Sequence, residues 1–177
     1  MPRIPKMSVG FTGLRWTLHR MSGATSEQLQ RLKAVGGNVN VCARSFPLAA
    51  TPTLPKAPFR TVVDSGIPAG IHMDGGHIAT LNPWFAIYYA VTGRNALGEM
   101  VNPGQQITRQ EALRLFTRGN AYQINMETKL GSIERGKLAD LVVLDKDYME
   151  VGDEELKKIK SVLSVVDGKI IHNKLST

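Results

Sequence analysis

Short apolar runs alternate with segments of helical period along the first two-thirds of the chain. Arg15-Trp16-Thr17-Leu18-His19 reads as a strand. Thr25 and Gln28 stand at capping-box spacing, and the helix they open carries Leu29, Leu32 and Val35 on one side until Gly36-Gly37 stops it. Asn38–Cys42 reads as a second strand. Residues 43–58, rich in Pro, Ala and Thr, form a long loop of the kind that carries function in α/β domains. Phe59–Ser65 predicts a short helix ended by Gly66, and Ile67–Met73 a third strand running into Asp74-Gly75-Gly76. Asn82-Pro83 marks a helix start, with Gly93 as its end. Thr108 and Glu111 form a second capping box, whose helix puts Ala112, Leu115, Phe116 and Gly119 on one face.

After about Gly131 the pattern changes. Leu138–Asp145, Ser161–Val166 and Lys169–His172 read as strands, with a short helix over Asp153–Ile159. Asp167-Gly168 is the strongest kind of short hairpin signal. Three β/α units therefore precede a β-rich tail. This pattern predicts an α/β protein with a parallel sheet, divided into residues 1–130 and a small domain over residues 131–177.

Composition bounds this picture. The chain has 177 residues, 42% of them hydrophobic and 21% charged, which is ordinary for a globular protein. A closed eight-stranded α/β barrel needs about 250 residues, so a barrel built from this sequence is a partial one. The net charge of +7 comes from scattered residues. No basic run is interleaved with aromatics, so nucleic acid is not an expected partner. No apolar stretch approaches the roughly 20 residues of a membrane helix, and Met1–Gly10 lacks the apolar core of a secretory signal. No membrane association and a cytoplasmic location are expected. The single cysteine, Cys42, rules out an intrachain disulfide and a Cys-based zinc site; its apolar surroundings read as those of a buried, inert thiol. A basic nucleotide-binding domain would need a Gly-rich phosphate loop, and Gly75-Gly76 lacks the spacing.

The stretch Gly131-Ser132-Ile133-Glu134-Arg135-Gly136-Lys137-Leu138-Ala139-Asp140-Leu141-Val142-Val143-Leu144-Asp145 resembles the segment where chains of the amidohydrolase superfamily leave their barrel for a small β-sandwich. The resemblance is to amidohydrolase family 3, the branch with N-substituted formamide deformylases. The closing hairpin Ser161–His172 resembles the end of that domain, and Val63–Gly70 the entry to the eighth barrel strand. The resemblance implies the last three strands of a TIM-like (β/α) barrel followed by a β-sandwich-type domain. It also implies hydrolysis of a non-peptide C–N bond, in an amide, formamide or cyclic amide, through a metal-activated water. Zinc is the divalent metal it implies.

Within that resemblance His19 matches a metal ligand of the sixth barrel strand. Asp74 matches the aspartate closing the eighth, both metal ligand and catalytic proton acceptor. On this reading both stand at the C-terminal ends of parallel strands, with Asn38–Cys42 between them. A histidine at a strand end also serves as a hydrogen-bonding residue, and an aspartate before Gly-Gly as a turn former. Met73 departs from the small residue common before that aspartate. His72, two positions from Asp74, falls on the same side of the strand, where it either crowds the site or adds a ligand. His77 reads as a solvated loop residue or a substrate contact, His172 as remote. Arg44, Trp84 and Tyr89 are possible lining residues, the last two more often helix packing.

No His-x-His occurs, and no histidine precedes His19. The expected protein is thus a hydrolase fragment with an incomplete site. The alternative is an inactive truncated or split-gene product that acts as an oligomeric or partner-dependent module. Its expected partners are a small amide substrate in the complete enzyme, and further copies of itself or an N-terminal chain to cover open sheet edges.

Overall fold

The computed structural model describes residues 13–44, 46, 56–76 and 79–175. Two three-stranded sheets organise it. The first is parallel and consists of β1 (Thr17–Met21), β2 (Asn38–Cys42) and β3 (Ala69–His72), in that order. Parallel neighbours need a crossover, and each crossover here carries a helix: α1 (Ser26–Ala34), then α2 (Phe59–Ser65). The predicted capping box closes α1 at both ends of the motif. Thr25 Oγ1 accepts from the Gln28 amide, and the Gln28 side chain accepts from the Thr25 amide. Helix α2 ends where Gly66 adopts the left-handed conformation at φ 62°.

All five residues of β2 are buried, as in a strand covered on both faces. Side-chain alternation divides them. Val39 and Val41 join Ile71, Leu29, Phe59 and Val62 in the main apolar cluster. Asn38, Asn40 and Cys42 face the other way. There Asn40 Nδ2 donates to the side chains of Asn120 and Gln123.

Those two residues belong to a continuous helical run of α4 (Arg109–Arg114), a π turn (Leu115–Gly119) and α5 (Asn120–Gln123). The second capping box opens this run as predicted, with Thr108 Oγ1 accepting from the Glu111 amide. The π turn had no signature in the apolar spacing. It brings the run against β3, because Gly119 and Gly70 allow close approach. A Cβ on Gly119 would lie 1.9 Å from the Ala69 carbonyl oxygen, and one on Gly70 would lie 2.1 Å from Asn120 Oδ1. The His72 carbonyl accepts from Ala43 of the β2 side, so alternation turns the Ile71 carbonyl toward the opposite edge. Asn120 Nδ2 donates to it at 3.1 Å. The outer edge of β3 is thus partly capped by the chain's own helix. The start of β1 is clasped to the same region: the Arg15 guanidinium lies 4.2 Å from the Tyr122 ring centre and pairs with Glu127 at 2.6 Å.

Helix α3 (Pro83–Thr92) starts at the predicted Asn-Pro cap, Asn82 Oδ1 accepting from the Trp84 amide, and stops at Gly93. The second sheet is antiparallel, β4 (Leu141–Leu144), β5 (Ser161–Val166) and β6 (Lys169–Asn173), in that order. Asp167 and Gly168 both take positive φ, 50° and 73°, the requirement of the tight hairpin their sequence predicts. Helix α6 (Asp153–Leu156) ties this part to the first: Tyr88 of α3 donates to Glu154 at 2.7 Å, and Arg109 of α4 pairs with Asp153 at 2.8 Å. Leu141, Val142 and Val143 of β4 and Ile170 and Ile171 of β6 stay exposed.

Candidate metal centre

The C-terminal end of the parallel sheet gathers the titratable side chains. Strand β1 runs two residues past His19, because Arg20 is an extra residue in a β-bulge: His19 pairs with Asn40, Met21 with Val41, and Arg20 with neither. Arg20 takes φ 58° there, and its guanidinium reaches Asp74 Oδ2 at 2.9 Å. Asp74 follows β3 and is itself left-handed, at φ 56°. Non-glycine residues adopt this conformation at a cost of about 1 kcal/mol or more, and such residues cluster at functional sites.

Register brings in two more groups. Cys42 and His72 are direct partners across β2 and β3. Cys42 Sγ lies 3.7 Å from Asp74 Oδ2, and His72 Nδ1 lies 3.4 Å from Asp74 Oδ1. One ligand atom from each of Cys42, His72 and Asp74 falls within 4.8 Å of the other two. His19 borders this trio, its ring 5.8 Å from the His72 ring in an edge-on arrangement.

The electrostatics favour metal ligation at His72 and oppose it at Cys42. Burial pushes the His72 imidazole below its ordinary value of 6.5; Asp74 pulls it up, while His19, Arg20 and Arg44 push it further down. A neutral imidazole at neutral pH is the ligating form. Burial pushes the Cys42 thiol up, with a backbone hydrogen bond from Arg44 opposing it. His72 Nε2 is buried and has no hydrogen-bond partner among the described residues, although buried polar atoms are usually satisfied.

These positions both match and correct the sequence expectations. Strand β2 does lie between the strands of His19 and Asp74. His19 does not end its strand: it is the third of five residues, exposed, and level with Asn40 and Gly70. The bulge at Arg20, which has no composition signal, accounts for the extension. His72 turns toward Asp74, as its spacing of two suggested. Cys42 is buried but not isolated. Counting cysteines excludes sites made of several thiolates, not a mixed one, and only the strand register reveals its neighbours. Trp84 is buried against Tyr148, their ring centres 5.6 Å apart, and Tyr89 against Phe59 at 5.5 Å, so both serve packing. His172 sits in β6 opposite Ser164. His77 and most of the 43–58 loop, residues 45 and 47–55, lie outside the described residues.

A tetrahedral zinc with sulfur at about 2.3 Å and nitrogen or oxygen at about 2.0–2.1 Å sets neighbouring donors about 3.3–3.7 Å apart. The 3.7 Å and 3.4 Å separations, to Oδ2 and Oδ1 of Asp74 respectively, lie in that range, and one donor atom from each of the three residues falls within 4.8 Å of the others. The residues present therefore fit a divalent metal, with Arg20 as a competing cation on the same carboxylate.

Residues 7–172 match the family model described as amidohydrolase family. The chain is 32% identical over 111 residues to the N-substituted formamide deformylase of Arthrobacter pascens; the match takes in 63% of this chain and 20% of that protein. It superposes on an uncharacterized metal-dependent hydrolase from Pyrococcus furiosus with a TM-score of 0.62 and 26% identity, covering 76% of this chain and 29% of that one. A zinc-bound adenosine deaminase from Xanthomonas campestris shares the fold with a TM-score of 0.65 and 18% identity, over 92% of this chain and 38% of the other. The chain thus spans about a fifth of the length of its formamide deformylase relative and less than two-fifths of these structures. With a family match over nearly its whole length and the mixed α/β fold of metal-dependent hydrolases, the chain belongs to the amidohydrolase family.

Proposed function

We propose that this chain supplies the C-terminal part of a metal-dependent hydrolase that cleaves a non-peptide C–N bond, in an amide, formamide or cyclic amide. The observation that carries the reading is the placement of Asp74 just past β3, left-handed and 3.4 Å from His72, whose ring in turn borders that of His19. When bound, the divalent metal, with zinc as the candidate, would lower the pKa of its water toward 7. His19 and Asp74 would hold it, and Asp74 would accept the water's proton and return it to the leaving nitrogen. In this reading residues 1–130 form the last three strands of a TIM-like barrel, and residues 131–177 form part of a β-sandwich-type domain.

A catalytic zinc usually takes three protein ligands and a water. Of the ligand set that the family resemblance implies, this chain carries two, His19 and Asp74, and an N-terminal partner chain or further copies of this one would supply the rest. A second reading, an inactive truncated or split-gene module, is favoured by one contact: Arg20 already neutralises Asp74. Purified chain, added zinc and a panel of formanilides and cyclic amides test the proposal. The isolated chain is expected to show no turnover above a metal-free control. Zinc-dependent turnover that disappears in Asp74→Asn would mean the site is complete within one chain, and would overturn both the partner-dependent and the inactive readings.

A further inference from the structure

We infer that Cys42, His72 and Asp74 together form a divalent-cation site, with the cysteine as a thiolate ligand. This inference rests on the proposed function for the metal but assigns it donors of this chain's own, two of which the family resemblance does not supply.

The argument is one of register and reach. Parallel pairing fixes Cys42 directly opposite His72. Asp74, two residues further on, turns back through its left-handed conformation and places one carboxylate oxygen near each of them, 3.7 Å from the sulfur and 3.4 Å from the imidazole. All three side chains rise from strand ends of one sheet, the kind of rigid support that metal geometry needs. Sulfur, nitrogen and oxygen donors in one place select a borderline ion such as zinc or cobalt over magnesium or calcium, which prefer all-oxygen shells. The site also has a built-in competitor. Arg20 holds Asp74 Oδ2 at 2.9 Å from a half-exposed position on the bulge. Its side chain can swing into solvent when a dication arrives, so its removal should strengthen cation binding.

Cobalt(II), a spectroscopic probe for zinc sites, tests this on the whole chain. Titration is expected to give one tightly held ion per chain and a near-ultraviolet sulfur-to-cobalt charge-transfer band. Cys42→Ser should abolish the band, with the far-ultraviolet circular dichroism unchanged. His72→Gln and Asp74→Asn should each weaken uptake at least tenfold. Arg20→Gln should tighten it several-fold, an outcome that a merely structural role for the cluster does not give. Absence of the band, or a band that survives Cys42→Ser, overturns the inference. Uptake that persists in Cys42→Ser and His72→Gln but is lost in Asp74→Asn also overturns it while leaving the proposed function standing. No uptake by any form likewise overturns it, and leaves the partner-dependent function standing.

Discussion

At the residue scale, Gly119 shows how one missing side chain sets the geometry of the site's support. Glycine inside a helix costs about 1 kcal/mol relative to alanine, so Gly119→Ala would stabilise an isolated helix. Here the new Cβ would lie 1.9 Å from the backbone oxygen of Ala69, a contact no rotamer can relieve. Overpacking of this kind costs about 1–3 kcal/mol. It would also push Asn120 off the Ile71 carbonyl. A net loss of about 1–2 kcal/mol is expected, read as a lower urea midpoint. A midpoint unchanged or raised would show that the π turn does not press on β3 as described. Asp74 and His72 were legible in the sequence because two residues two apart at a strand end share a face. Cys42 and Arg20 were not, since nothing in an isolated strand reports which residue of the next strand lies opposite, or where a bulge inserts.

Between elements, the clearest coupling joins α2 to the cap of α4. Arg60 forks onto Glu111 at 3.0 Å and 2.9 Å, while Glu111 also accepts from the Thr108 amide at 2.8 Å. The Arg60 hydrogen bonds, with the Thr108 contacts assisting, hold the Glu111 carboxyl at about 2, well below its ordinary 4.5. A carboxylate depressed in the folded state stabilises above its unfolded pKa and loses that contribution as pH falls through the folded one. Stability should therefore decline between about pH 4.5 and pH 2. Glu111→Gln keeps an oxygen for the capping box but removes the charge. It should cost about 1–2 kcal/mol at neutral pH, the range of a charged hydrogen bond, and flatten the acid limb of the stability curve. An equally steep limb in the variant would assign the acid sensitivity to other carboxylates. The sequence announced most element starts, since Thr25, Asn82 and Thr108 cap α1, α3 and α4 as their spacing predicts. It did not announce the π turn, which depends on how the helix lies against β3 rather than on any propensity of its residues.

For the whole molecule, the exposed apolar surface is the property with the plainest consequence. Leu18 on β1 is 45% exposed and Val142 on β4 is 57% exposed. Each 100 Å² of apolar area covered is worth about 2.5 kcal/mol, and unpaired sheet edges invite pairing. The chain is expected to self-associate at micromolar concentration in light-scattering measurements. Lysine at Leu18 and Val142 should shift the population to smaller species. A cooperative monomer, indifferent to those substitutions, would mean that Asn120 and the Arg15–Tyr122 clasp close the edges sufficiently. The parallel sheet has a further implication, in time rather than space. Its strands stack in the order in which they are synthesised: His19 faces Asn40, 21 positions on, and Asn40 faces Gly70, 30 positions on. A ribosome adds about 5–20 residues per second, whereas helices and short loops form in microseconds. Each new strand can therefore dock on its finished predecessor before the next appears. The Arg15–Glu127 clasp, with a sequence separation of 112, must close after all three strands are made. Like the contacts of Asn120 with Ile71 and of Gln123 with Val39, it depends on residues made after the sheet's last strand.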